Sequence, residues 1–150
     1  MDILNKIVVP VDFLGNTDQL VKYASKLARK FEAELYLVHV IPMGYSLGAD
    51  MVVRYSAIKE DEYKSSIEQT MQRLVSDTGR DGVQCQGKVL IGDPAEEIVQ
   101  HIDDVEADLV VISTHGSKGL EKILLGSVTS RVVKHANCPV LSMNPHKMHK

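Results

Sequence analysis

Residues Ala107–Ser113 have the sequence ADLVVIS, which contains the continuous apolar run LVVI. A strand with one face in water alternates apolar and polar residues, whereas a strand covered on both faces is apolar throughout. The stretch therefore predicts a strand in a parallel sheet that has helices packed on both of its faces.

Short apolar runs alternate with longer amphipathic segments over the rest of the chain. KIVVPVDF, residues 6–13, and AELYLVHVI, residues 33–41, are typical of strands. The segment between them has apolar residues at the three- and four-residue spacing of a helix face: Leu20, Ala24, Leu27, Ala28 and Phe31. This is one β-α-β unit.

The same alternation continues to the end of the chain. A loop is predicted over Met43–Ser56, then a helix over Ala57–Ser76 that DTGRDG interrupts, then a strand within VQCQGKVLI, residues 83–91. GDPAEEIVQHIDDVEA follows, with Asp93 as helix N-cap and Pro94 at the first helical position. A helix over 127–135 and a short strand within CPVLSM, residues 138–143, complete the series.

Strands that alternate with helices predict a parallel sheet with right-handed crossovers. The chain of 150 residues is long enough for one domain and too short for two. We therefore expect a single-domain, three-layer α/β/α fold with a five-stranded parallel sheet, which is a Rossmann-like architecture.

The composition disfavours several classes of function. Seventeen basic and twenty acidic residues give a net charge of −3, so nonspecific nucleic-acid binding is not expected. No apolar run approaches the roughly 20 residues of a membrane span, and the N-terminal segment has an acid where a signal peptide carries positive charge. We expect a cytoplasmic protein, without a membrane partner, whose Cys85 and Cys138 are buried thiols.

In sheets of this kind, ligands bind beyond the carboxyl ends of the strands, where the strand order reverses. Asp12 follows the first strand and could accept hydrogen bonds from a sugar hydroxyl or an exocyclic amine, although an aspartate after a strand is often only a turn residue. The fourth strand leads into STHG, residues 113–116, which supplies the opposite wall of the predicted crevice.

The segment STHGSKGLEKILLGSVTSR, residues 113–131, contains three glycines before a predicted helix, of which Gly116 and Gly126 are widely spaced. Gly116 and Gly126 let backbone amides approach an anion, and a helix N-terminus adds unpaired amides and the positive end of the dipole. Ser127 and Thr129 could add hydroxyl donors. The alternative is that the glycines only turn the chain and that Ser127 only caps the helix.

Other chemistries lack their usual motifs. Neither GxxxxGK[ST] nor GxGxxG is present, which disfavours a P-loop NTPase and a dinucleotide-dependent dehydrogenase. Among the histidines only His115 lies in the predicted crevice, where it could bind a phosphate or transfer a proton, but no nucleophile or orienting carboxylate is adjacent to it. No residue is assigned as catalytic or metal-binding.

Four segments together resemble the universal stress protein family: KIVVPVDF, LVHVI, GDPAEEIV and STHGSKGLEKILLGSVTSRVVKHANCPVL. The resemblance covers nearly the whole chain in the same order. It implies an adenine nucleotide alpha-hydrolase-like fold, with a universal stress protein domain over residues 1–144 and a polar tail over 145–150.

ATP-binding members of this family carry Gly, two residues, Gly, nine residues, Gly and then Ser or Thr. Gly116, Gly126 and Ser127 match this motif, whereas Ser113 stands at its first glycine. By similarity, Asp12 and the backbone near Val40 face adenine. The other implied contacts are Pro10, Val11, Ile112 and Ser113 with base and ribose, and Gly116, Gly126, Ser127, Val128 and Thr129 with the phosphates.

The resemblance implies a cytoplasmic stress or signalling protein that binds ATP with Mg or Mn and hydrolyses it slowly at most. It also implies a homodimer formed through the last strand, Cys138–Met143. A further protein partner, whose identity the sequence does not give, is compatible with this assembly. The alternative is a member that binds no nucleotide and acts through its dimer and partner surfaces. Ser113 favours that alternative, and the matching glycines favour ATP.

Overall fold

The computed structural model describes residues 4–43, 57–114 and 126–147 of the 150-residue chain. Within these ranges, strands and helices alternate from one end to the other. The elements are β1 (Lys6–Pro10), α1 (Thr17–Phe31), β2 (Glu34–Pro42), α2 (Ala57–Arg80), β3 (Cys85–Gly92), α3 (Pro94–Val105), β4 (Leu109–Ser113), α4 (Ser127–His135), β5 (Val140–Met143) and one 3-10 turn (Pro145–Lys147).

The five strands form one parallel sheet in the order β3-β2-β1-β4-β5. Helices α1 and α2 pack on one face, where they bury residues such as Leu20 and Met71, and helices α3 and α4 pack on the other, where they bury Ile102 and Val132. The predicted three-layer fold is confirmed. The domain boundary at residue 144 stays a prediction.

Strands β1 and β4 lie at the centre of the sheet and are buried on both faces. Side chains of Ile7, Val8 and Val9 on β1, and of Val110 and Val111 on β4, are 0% exposed. Burial of both faces explains why these strands are apolar without alternation.

The sheet opens between β1 and β4 at its carboxyl edge. Pairing between these two strands ends at Val8–Val110. Pairing on the outer side of each strand continues further, to Pro10–Val38 between β1 and β2 and to Ser113–Met143 between β4 and β5. A crevice therefore lies between the ends of β1 and β4, where the strand order reverses, as expected for a doubly wound sheet.

Helix α2 is longer than predicted, because it continues through Asp77, Thr78 and Gly79 to Arg80. The prediction that DTGRDG stops the helix after Ser76 was wrong. Thr78 is buried, and its hydroxyl donates to the Leu74 carbonyl at 2.7 Å, so the last turn is held by packing and by that bond. The chain turns only at Gly82, whose φ of 81° suits glycine.

Helix α3 begins as predicted. Asp93 is the N-cap and accepts a hydrogen bond from the Glu96 amide, and Pro94 occupies the first helical position. Among the described residues, no helix is both long and apolar enough to cross a membrane. The predicted loop over Met43–Ser56 lies outside the described residues beyond Met43.

Candidate functional site

The turn after β1 is organised by the Asp12 carboxylate. Its Oδ1 accepts hydrogen bonds from the Leu14 amide at 2.9 Å and from the Thr17 hydroxyl at 3.2 Å. Asn16 occupies the N-cap position of α1 but makes no side-chain capping bond within the described residues. Asp12 is exposed at the mouth of the crevice, and it stabilises the turn that carries it.

The backbone just before Asp12 is tied to β2. The Val11 amide donates to the Val38 carbonyl at 2.8 Å, and the Val11 carbonyl lies 2.7 Å from Nδ1 of His39. The Phe13 ring packs against the His39 ring, with 4.8 Å between ring centroids. The two-residue spacing of His39 from Leu35 and Leu37 places it on the sheet face that Phe13 covers.

The opposite wall of the crevice joins the end of β4 to the start of α4. The Gly126 amide donates to the Thr114 carbonyl at 2.8 Å, and the Thr129 hydroxyl donates to the Ser113 carbonyl at 2.6 Å. These two bonds fix the first turn of α4 against the end of the strand. The sequence suggests the Thr129 hydroxyl as a hydrogen-bond donor to phosphate. In the structure this hydroxyl donates its hydrogen bond to the Ser113 carbonyl instead.

Within the described residues, the N-terminus of α4 has no side-chain cap. Gly126 is the N-cap residue and provides no side chain, so no described side chain accepts a capping hydrogen bond from the first amides of the helix, those of Ser127, Val128 and Thr129. By contrast, Asp93 caps α3. The amides that open α4 carry the partial positive charge of the helix terminus and are suited to an anion.

The backbone of Gly126 does not need glycine for its conformation. Its φ of −57° and ψ of 153° are open to any residue. A turn requirement therefore does not explain this glycine. Its missing side chain leaves the amides of the first turn of α4 open to a ligand on that side.

Other residues implied by the family resemblance lie along the same edge of the sheet. Val40 and Ile112 are buried near the ends of β2 and β4, and Val11 is buried just after β1. Pro10 and Ser113 are half-buried. His115 and Gly116 lie outside the described residues. The described members of the predicted set thus come from β1, β2, β4 and the start of α4.

An ion pair links the N-termini of α3 and α4. Nη1 of Arg131 lies 3.0 Å from Oδ2 and 3.1 Å from Oδ1 of Asp93, and its Nη2 lies 3.9 Å from Glu96. The hydrogen bond from Arg131 holds the pKa of the Asp93 carboxyl below its usual range, and the Glu96 amide acts in the same direction. Sequence reasoning missed this pair, because 38 residues separate its members.

The cysteines do not provide a reactive thiol. Cys85 and Cys138 are both free and half-buried, rather than fully buried as the sequence suggests. Burial raises the pKa of Cys85 to about 11 and raises the pKa of Cys138 as well, so both stay protonated near neutral pH. Within the described ranges, no cluster of three His, Cys, Asp or Glu side chains could hold a metal ion.

The fold and this edge define the class of protein. A doubly wound parallel sheet that opens between β1 and β4, with an uncapped helix N-terminus beside the opening, is the arrangement by which α/β proteins bind ligands at a topological switch point. The model of the universal stress protein family matches residues 4–143. The chain belongs to this family.

Individual relatives match over most of their length. The universal stress protein MJ0531 of Methanocaldococcus jannaschii is 34% identical over 146 residues, which are 97% of this chain and 85% of the relative. The solved structure of MJ0577, from the same organism, has a TM-score of 0.79 at 27% identity and covers 95% of this chain and 96% of its own.

A universal stress protein from Archaeoglobus fulgidus, solved in complex with dAMP, has a TM-score of 0.65 at 25% identity. The match covers 93% of this chain and 98% of that chain.

Proposed function

We propose that this universal stress protein binds an adenine nucleotide, ATP with Mg or Mn, in the crevice between the carboxyl ends of β1 and β4. The observation that carries the proposal is the N-terminus of α4, which no side chain in the described part of the chain caps and which lies beside the point where the two strands stop pairing. The relative solved with dAMP supports the same class of ligand.

The phosphates bind at the start of α4. The amides of Ser127, Val128 and Thr129 donate to phosphate oxygens, and Gly126 keeps the approach free of a side chain. The bonds from Gly126 to Thr114 and from Thr129 to Ser113 hold this turn in place before ligand arrives. A divalent cation bound with the nucleotide would neutralise part of the phosphate charge. His115 and Gly116 are the remaining residues that we propose contact the phosphates.

Base and ribose bind on the side of β1. The Asp12 carboxylate and the backbone near Val40 face adenine, and the remaining surface is lined by Pro10, Val11 and the end of β4, Ile112 and Ser113. Oδ1 of Asp12 is engaged by its own turn. Its Oδ2 forms no hydrogen bond within the described residues and can accept one from the exocyclic amine of adenine.

The protein acts in the cytoplasm as a nucleotide-responsive stress or signalling protein rather than as an efficient enzyme. Nucleotide binding shifts the conformational equilibrium of the segment Ser117–Leu125. A protein partner binds the surface that results. That segment lies outside the described residues, so this step rests on the family resemblance and on its place between the two walls of the site. Hydrolysis is slow at most, since no general base is assigned.

Isothermal titration calorimetry with ATP and magnesium tests the binding proposal. We expect saturable heat with wild-type protein and an affinity at least about tenfold weaker for Gly126→Val, since the new side chain stands beside the phosphate-binding amides. Valine tolerates the backbone conformation of Gly126 and keeps its amide bond to Thr114, so the variant should fold normally. Absence of heat with the wild type at micromolar-to-millimolar ATP would contradict the proposal.

We also infer a homodimer formed through the last strand, Cys138–Met143. The carbonyls of Pro139 and Met143 accept bonds from β4, so parallel pairing directs the backbone groups of Val140 and Ser142 to the outer edge of the sheet. An open edge of this kind can pair with a second copy. In the alternative function, which needs no nucleotide, this dimer and its partner surfaces carry the activity.

Ser142→Pro tests the dimer. Proline removes the outward amide of the exposed Ser142 without removing a bond to β4. We expect dimers for the wild type and monomers for the variant by light scattering after gel filtration. A monomeric wild type, or a variant that dimerises equally well, would show that β5 is not the interface.

A further inference from the structure

His39 lies on β2 beside the end of β1, and its half-buried ring touches the turn that carries Asp12. Its Nδ1 is 2.7 Å from the Val11 carbonyl oxygen. A carbonyl oxygen only accepts, so Nδ1 is the nitrogen that carries the proton. In the neutral ring, Nε2 is therefore unprotonated.

This bond fixes a residue that lies beyond the end of β1. The Val11 amide already donates to the Val38 carbonyl, and the bond from His39 engages the Val11 carbonyl as well. Both backbone polar groups of Val11 are thus tied to β2. The backbone that leads into Asp12 starts from a fixed position and direction.

The residue after Asp12 is held by the same ring. Phe13 has a φ of 61°, in the left-handed region that bulky side chains rarely adopt. Its ring packs on the His39 ring at 4.8 Å between centroids, with 43° between the ring planes. His39 therefore contacts the chain on both sides of Asp12, through a hydrogen bond before it and a ring contact after it.

We propose that His39 is a positioning residue for base recognition: it fixes the Val11–Phe13 turn so that the Asp12 carboxylate meets the exocyclic amine of adenine. The inference rests on the proposed nucleotide binding. A carboxylate accepts a hydrogen bond from the amine at purine position 6, whereas a 6-oxo purine presents another acceptor there and is repelled. The orientation of Asp12 then sets the preference for adenine over hypoxanthine.

ATP and ITP are the probes, because the two nucleotides differ at the purine 6 position and in protonation of the neighbouring ring nitrogen. The ratio of their dissociation constants reports base recognition and is insensitive to how much of a sample is folded. Wild-type protein should bind ATP more tightly than ITP. In His39→Phe, which keeps an aromatic ring against Phe13 but has no donor, the preference should fall about fivefold, the usual effect of one hydrogen bond.

His39→Asn is the matched control, because an asparagine amide can donate from nearly the position of Nδ1. This variant should keep most of the wild-type preference while losing the ring contact. A His39→Phe variant that keeps the wild-type ratio of ITP to ATP dissociation constants overturns the role of His39 and leaves nucleotide binding intact. Wild-type protein that binds neither nucleotide overturns the proposed function and this inference together.

A second measurement applies to the wild type alone and does not depend on the variants folding. Long-range ¹H–¹⁵N NMR of the histidine rings at alkaline pH reports which nitrogen carries the proton. We expect the neutral His39 ring to be protonated on Nδ1. Protonation on Nε2 would remove the bond to Val11 and overturn the inference.

Discussion

His101 on α3 is the buried polar side chain whose Nε2 has no hydrogen-bond partner within the described residues. The residue is 5% exposed. Burial lowers the pKa of its imidazole, the charge of Lys88 on β3 acts in the same direction, and Asp104 on α3 opposes them. The folded protein therefore favours the neutral ring, whereas the unfolded chain takes up a proton near pH 6.5.

The His101 ring should make stability depend on pH. The contribution of the neutral His101 ring to the free energy of unfolding is fully present above about pH 6.5. It is lost as the pH falls below that value, because the unfolded chain then binds the proton more tightly than the folded protein does. We expect the melting temperature to fall between about pH 7.5 and about pH 5, and to fall less for His101→Leu. If the melting temperatures of the two proteins fall by the same amount across this pH range, protonation of His101 is not coupled to unfolding.

At the scale of single elements, Gly87 on β3 allows α2 to pack against the sheet. A Cβ added at Gly87 would lie 2.6 Å from Cγ of Met71 and 2.7 Å from Cγ2 of Val75. Gly79, in the last turn of α2, has nothing within 4 Å of the same added atom. The first glycine is needed for close packing, and the second is not.

Alanine substitutions at these glycines should therefore have opposite effects. Gly87→Ala should lower the free energy of unfolding by about 1–3 kcal/mol, through overpacking against Val75. Gly79→Ala should raise it by about 0.5 kcal/mol, since alanine restricts the unfolded chain and suits a helix. Urea denaturation measures both. A Gly87→Ala variant as stable as the wild type would contradict the packing of α2 on β3.

The Asp93–Arg131 pair makes a second element-scale prediction. Asp93 caps α3 and pairs with Arg131, so Asp93→Ala loses the cap and the ion pair, whereas Arg131→Ala loses the ion pair and the longer contact with Glu96 but keeps the cap. We expect a larger drop in melting temperature for Asp93→Ala, and a drop close to that of Arg131→Ala for Asp93→Asn, which keeps the cap. Added salt should reduce the effect of Arg131→Ala, because the pair is exposed. Equal drops for all three variants would mean that the cap contributes nothing.

Much of the fold could be predicted from short-range patterns. The run LVVI in β4 and the helix-start signals Asp93 and Pro94 are local patterns, and each correctly predicts the element that forms. The end of α2 was missed because a buried Thr78 overrides the helix-breaking tendency of the residues around it. Tertiary packing decides such boundaries, and propensity alone does not contain it.

The candidate site could be predicted in part. Asp12, Gly126 and Ser127 follow strands or precede a helix, so their positions are visible in the sequence. The roles of His39 and Thr129 depend on partners 28 and 16 residues away, and the sequence gives no sign of those bonds. Gly126 shows the difference between a position, which the sequence reveals, and a role, which it does not. Only the backbone angles of Gly126 show that glycine is not needed there to turn the chain.

At the scale of the whole molecule, we propose that the opening in the sheet and the start of α4 form one site for adenine nucleotide. Both halves of this site are fixed to the sheet by hydrogen bonds, at Val11 on one side and at Ser113 and Thr114 on the other. Binding should therefore perturb a few amides at the carboxyl edge and leave the rest of the molecule unchanged.

Titration of ¹⁵N-labelled protein with ATP and magnesium, followed by amide chemical shifts, tests whether the two walls bind one nucleotide. We predict saturable shifts that are largest at the amides of Ser127, Val128 and Thr129, smaller shifts around Asp12, and loss of the α4 shifts in Gly126→Val. Saturating ATP that leaves the Ser127–Thr129 amides unshifted would contradict this proposal.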